Sequence, residues 1–126
     1  MQKHDSIRLH HILDAAKEAE AFIIDKNRNE LNNDRKLELA LIKCIEIIGE
    51  AATNISKESR EELPQIPWTE IISMRNRLIH AYFEINLDIL WKTVVEDLPP
   101  LILALEKCIQ PDKYNIQAPV SMPYNL

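Results

Sequence analysis

Apolar residues recur at intervals of three and four along most of this chain, the spacing that gathers one face of an α-helix. Leu9, Ile12, Leu13, Ala16 and Ile23 make the first such stripe, which predicts a helix from a capping Asp5 or Ser6 to near Asp25. Residues 26–33 are polar and Asn-rich and read as a loop, with Asn32 or Asn33 available to cap the next helix. A second helix over 34–55 carries Leu37, Leu41, Ile45, Ile48, Ala52 and Ile55, long enough for one arm of an antiparallel bundle. Gly49 lies inside it, where glycine costs about 1 kcal/mol relative to alanine. It marks either the close approach of another helix or subunit, or a backbone role at a ligand site.

Ser56 is placed to cap a short helix ending near Leu63, on which Glu58, Glu61 and Glu62 form a solvated acidic face. Pro64-Gln65-Ile66-Pro67 then breaks the helical pattern, and Pro67 suits the first turn of a new helix. From there Trp68, Ile71, Ile72, Leu78, Ile79 and Tyr82 share one broad stripe, which predicts a helix running to residues 83–86, where Asn86 offers another cap. Leu87, Leu90, Trp91, Val94, Leu98, Leu101, Leu105 and Cys108 keep a single phase across Pro99-Pro100, so a kinked helix or two coaxial pieces are expected. Beyond residue 110 the periodicity stops. The expected architecture is all-α: an antiparallel bundle of four to five helices over 1–110, with a Pro-containing extended tail, 111–126, that Tyr114, Ile116 or Tyr124 would have to dock.

Composition agrees with helices. The 126 residues contain one glycine and only 6% aromatics, too little of either for a sheet built on tight hairpins. No apolar run approaches the length of a membrane span, and Lys3, His4, Asp5 and Arg8 interrupt any signal-like segment, so a soluble, cytoplasmic protein is expected. His10 and His11 are adjacent and diverge by about 100°, which suits surface residues rather than a metal pair. Cys44 and Cys108 show no ligand-type spacing and read as reduced core thiols. A net charge of −5 weighs against a broad phosphate-tracking surface but leaves room for one local anion site.

Candidate chemistry concentrates in one stretch, M-R-N-R-L-I-H-A-Y-F from Met74 to Phe83. Arg75 falls in the middle of the apolar stripe, where an always-charged guanidinium needs a partner or a cleft. Asn76 and His80 are one turn apart on the adjoining stripe. Arg75, His80 and Tyr82 spell R-x4-H-x-Y: a group that moves protons near neutral pH and a bidentate phosphate clamp, with no metal-ligand set beside them. A metal-independent ribonuclease, in which the RNA 2′-OH attacks its own phosphate, needs this inventory. The residues alone leave other readings open: a chance pattern with His80 at an interface, or a dimer seam in which Arg75 pairs with Glu46 or Glu50. Arg75 and His80 would also diverge by about 140° on a regular helix. Either the helix loosens near His80 or a second chain completes the site, and a dimeric cleft is the more economical of the two.

Taken in order, I-G-E-A-A (residues 48–52), I-P-W (66–68), M-R-N-R-L-I-H-A-Y-F and the later D-L-P resemble the HepT family of HEPN-domain proteins. The resemblance implies a dimeric helical bundle acting as the ribonuclease toxin of a type VII-like prokaryotic toxin–antitoxin pair, with no cofactor. It implies Arg75 and His80 as the catalytic pair, with Asn76 supporting them in the cleft; because the net charge is acidic, the RNA is expected to be held in a dimer cleft that gathers Arg75, Arg77 and their symmetry mates. Tyr82 would be the tyrosine to which a minimal nucleotidyltransferase antitoxin of the MntA type transfers AMP, silencing the enzyme. The alternative is a non-catalytic helical partner or substrate-binding subunit of such a nucleotidyltransferase. The two differ at His80, which only the first needs for RNA cleavage.

Overall fold

The computed structural model describes residues 1–80 and 84–109, Ile79 and His80 by their backbone alone. Tyr82 and the tail expected from residue 111 lie outside the described residues. The helical expectation holds, and the elements run α1 (Lys3–Phe22), α2 (Glu30–Asn33), α3 (Arg35–Thr53), α4 (Lys57–Glu62), α5 (Trp68–Leu78), α6 (Leu87–Lys92) and α7 (Leu98–Cys108). The long α1 and α3 pack along each other; α7 returns along α1, and α5 lies on the other side of α3. Ile12, Leu41, Ile45, Ile71, Leu90 and Leu105 are among the side chains that meet in the single core, each almost wholly removed from water.

Helix α1 starts two residues earlier than the pattern indicated, so Asp5 lies in its first turn instead of capping it, and is buried. Its Oδ1 accepts from the Ser56 N–H (3.1 Å), and its Oδ2 accepts from the hydroxyls of Ser56 (2.7 Å) and Ser59 (2.6 Å). Arg8 stands 3.8 Å away on the same helix. These bonds outweigh the cost of burial and hold the Asp5 carboxyl below its ordinary pKa of 3.8. Asp5 thereby fastens the start of the chain to the α3–α4 corner, across more than fifty residues of sequence.

The caps correct one expectation and meet two. The cap of α3 is Asp34, not Asn32 or Asn33, because those two residues belong to the short α2; the Leu37 N–H donates to Asp34 Oδ1 at 3.0 Å. Ser56 caps α4 and Asn86 caps α6 as the sequence indicates, each accepting from a backbone N–H three residues on. Helix α5 is anchored at its first residue, where Trp68 Nε1 donates to the carbonyls of Arg60 and Leu63.

The expectation that α5 continues to residues 83–86 is overturned. The helix stops at Leu78; Ile79–His80 (β1) pairs antiparallel with Glu84–Ile85 (β2), placing Ile79 opposite Ile85 and His80 opposite Glu84. The Asn86 N–H donates to the Leu78 carbonyl and closes the base of this ladder. Apolar residues continue through the break, so a period count runs on past it, whereas β-branched Ile79 and Ile85 fit an extended pair equally well.

Leu87 to Cys108 forms one helical path with a wide π turn, Thr93–Asp97, between α6 and α7. Pro99 and Pro100 lack the N–H groups that would bond the carbonyls four residues back, and their rings crowd those carbonyls. The π turn resolves the conflict: Leu98 N–H donates five residues back, to Thr93, and the prolines occupy the first turn of α7. Cys44 is buried, which pushes its thiol up to about 11, with the Glu18 charge adding to the effect. Cys108 is half-buried and takes a hydrogen bond from Gln65 Nε2.

Candidate active site

Ile71, Met74 and Leu78 form the buried face of α5. The stripe therefore centres on the Met74 side, and Arg75 is on its flank rather than in its middle, with 53% of its side chain exposed. The Arg75 guanidinium is therefore not buried. Arg75 and the exposed Asn76 border an open groove of about 560 Å³ between α3 and α5. Across the groove α3 contributes Lys43, Glu46, Gly49, Glu50, Thr53 and Asn54.

The two helices approach each other at Gly49. A Cβ placed there would stand 3.7 Å from the Ile71 carbonyl oxygen and 3.9 Å from that of Ile72, so α5 crosses α3 closely at this point. One turn before it, Glu46 Oε2 reaches to 3.8 Å from Arg75 Nε, an ion pair slightly beyond hydrogen-bond length. Glu46 is itself 38% exposed, so the pair sits in the open mouth of the groove and not in a sealed seam. One turn beyond Gly49, the Thr53 hydroxyl is occupied by the Gly49 carbonyl at 2.8 Å.

Arg77 is not in this groove. Its Nη2 donates to the Glu70 carbonyl at 3.1 Å, and it lines a separate hollow of about 370 Å³ between α5 and α7, with Gln65, Glu70, Met74, Glu96 and Asp97. Two residues along a helix are about 200° apart, which suffices to put Arg75 and Arg77 on different sides of α5. Of the five candidate residues, the described structure thus brings Arg75 and Asn76 together and separates Arg77 from them. The backbone of His80 lies two residues past the end of α5, so the helical divergence of about 140° from Arg75 does not apply to it. Lys43, Thr53 and Asn54 escaped the sequence reading. The signal for Lys43 and Thr53 is a polar stripe at positions 43, 46, 50 and 53, flanking Gly49 on the side of α3 away from its apolar face; Asn54 follows as the residue that ends the helix.

The fold and site define a class of molecule: a helical bundle with an arginine and an asparagine at the mouth of one polar groove, next to a histidine-bearing ladder. A family model described as ribonuclease HepT-like matches residues 12–108, and the chain belongs to that family. It is 42% identical over 93 residues to a Methanocaldococcus jannaschii protein named "Putative RNase MJ1380", covering 74% of this chain and 85% of that one. With the Thermococcus cleftensis protein named "Probable ribonuclease HepT" the identity is 49% over 74 residues, or 59% of this chain and 67% of the relative. No solved structure matches. No helix among the described residues is long and apolar enough to cross a membrane.

Proposed function

We propose that this protein is an endoribonuclease toxin that cleaves RNA without a metal ion, using Arg75 and His80. The observation carrying this reading is the exposed Arg75 at the groove mouth, beside Asn76, with the chain leaving helical geometry just before His80. In the reaction the 2′-OH of RNA attacks the adjacent phosphorus, the O5′ bond breaks, and the products are a 2′,3′-cyclic phosphate and a free 5′-OH. His80 handles the proton, taken from the 2′-OH or returned to the leaving O5′. Arg75 holds two non-bridging oxygens and stabilises the charge that develops on them, and Asn76 supports the same oxygens. The Arg75 groove is open to a chain-like substrate, and its half-exposed guanidinium fits phosphate binding better than the structural seam left open by the sequence.

The working unit in this proposal is a homodimer in the cytoplasm, two copies joining their grooves, and Arg77 acts from outside the groove of its own protomer. The partner is a minimal nucleotidyltransferase antitoxin of the MntA type, which transfers AMP to Tyr82 and so sets phosphate charge and bulk beside the catalytic pair. Growth and RNA integrity after induced expression test the whole scheme. Wild type should arrest growth and degrade RNA, His80→Ala should do neither, and the antitoxin should rescue growth only when Tyr82 is present. If wild type, His80→Ala and Tyr82→Phe are all harmless and RNA stays intact, the chain is instead a non-catalytic partner of the nucleotidyltransferase.

A further inference from the structure

A carboxylate is an unexpected neighbour for a phosphate clamp, since its charge repels the substrate and competes for the guanidinium. Glu46 nevertheless stands 3.8 Å from Arg75 Nε, and among the described residues this is the one ion pair that Arg75 makes. We propose that Glu46 is the positioning residue of this site, holding Arg75 by its Nε edge and leaving the Nη1–Nη2 edge to take the scissile phosphate. The inference rests on the ribonuclease reading of the groove.

Three features of the structure support it. Glu46 is carried by the middle of α3, between the buried Ile45 and Ile48, so its backbone is anchored by core packing on both sides. Arg75, by contrast, is in the last turn of α5 with half its side chain in water, where a guanidinium on four rotatable bonds samples many rotamers. Tying the mobile group to the fixed helix from the side narrows that sampling without occupying the fork that binds phosphate bidentately. A turn further along α3, at Gly49, the backbone of α5 passes within ordinary contact distance of α3, which brings Arg75 within reach of Glu46. The attraction at this distance and exposure is modest, which suits a guide that must yield no part of the phosphate-binding edge.

Steady-state cleavage of a fluorescent RNA oligonucleotide by wild type, Glu46→Ala, Glu46→Gln and Arg75→Ala decides the matter. Glu46→Ala should lower kcat about tenfold to a hundredfold, the scale on which small misplacements of a catalytic group act, with KM within about twofold. Glu46→Gln, which keeps an acceptor of the same reach, should recover part of the loss. A second readout does not depend on turnover: the Arg75 Nε–H resonance, assigned by its disappearance in Arg75→Lys, should shift in Glu46→Gln. The role of Glu46 is overturned by unchanged or faster kcat in both Glu46 variants, by a change in KM alone, or by an unmoved resonance. Intact RNA with wild-type enzyme would instead overturn the ribonuclease reading, so the two failures are told apart by the wild-type and Arg75→Ala arms.

Discussion

Asp5 and Glu46 are both carboxylates beside an arginine, yet they sit in opposite kinds of place. At the α1–α4 corner, Asp5 is buried, accepts three hydrogen bonds from two serines, and has its charge fully answered by fixed donors. In the α3–α5 groove, Glu46 is partly exposed and meets Arg75 at 3.8 Å, with half of the Arg75 side chain exposed. Satisfied groups in a dry corner stabilise a fold, because breaking them strands a charge. Donors left over at the mouth of a groove are the ones a ligand can take. The contrast separates the part of this molecule that holds it together from the part that is available for chemistry.

Exchanging the consequences of the two sites is the most direct way to break that contrast. Arg75→Ala should lower RNA cleavage by about a hundredfold or more, as loss of a group stabilising transition-state charge does, while thermal unfolding stays cooperative and within a few degrees of wild type. A variant that unfolds instead would return Arg75 to a structural role. Asp5→Ala should do the reverse: a loss of about 2–3 kcal/mol, seen as a lower urea midpoint, with the specific activity of the folded fraction retained.

Acid sharpens the same comparison. The folded pKa of Asp5 lies below its ordinary value of 3.8, so its contribution is complete above that pH and is lost as pH falls through the folded value. Urea midpoints measured downward from pH 6 should therefore fall more steeply below about pH 4 for wild type than for Asp5→Asn, which has no carboxylate to protonate. Equal slopes would show that the corner is held by packing and not by the carboxylate. The smallest effect belongs to the groove. A Cβ at Gly49 would make ordinary contact with the Ile71 carbonyl, so Gly49→Ala should be accommodated and should raise stability by up to about 1 kcal/mol through helix propensity. Destabilisation would mean that the α3–α5 approach has no slack.

The periodicity of Leu, Ile and Ala determined the helical character, the long second helix and the break at Pro64 to Pro67, because burial of a continuous stripe at three- and four-residue spacing has only one regular solution. Ser56 and Asn86 were legible as caps for an equally local reason: their side chains bond N–H groups three residues away. Arg75 and Asn76 stood out in the sequence as a charged and an amide group amid apolar neighbours, and both border the α3–α5 groove. Tertiary structure alone decided three other matters. It ended α5 at Leu78, since the Asn86–Leu78 bond and the Ile79–Ile85 pair are made across the chain and leave no trace in a one-dimensional period. It turned the Met74 side of α5 to the core, and with it put Arg75 in one groove and Arg77 in another, because which arc of a stripe is buried depends on where α3 lies. It also buried Asp5 against Ser56 and Ser59, a contact whose partners are more than fifty residues apart and which no local pattern encodes.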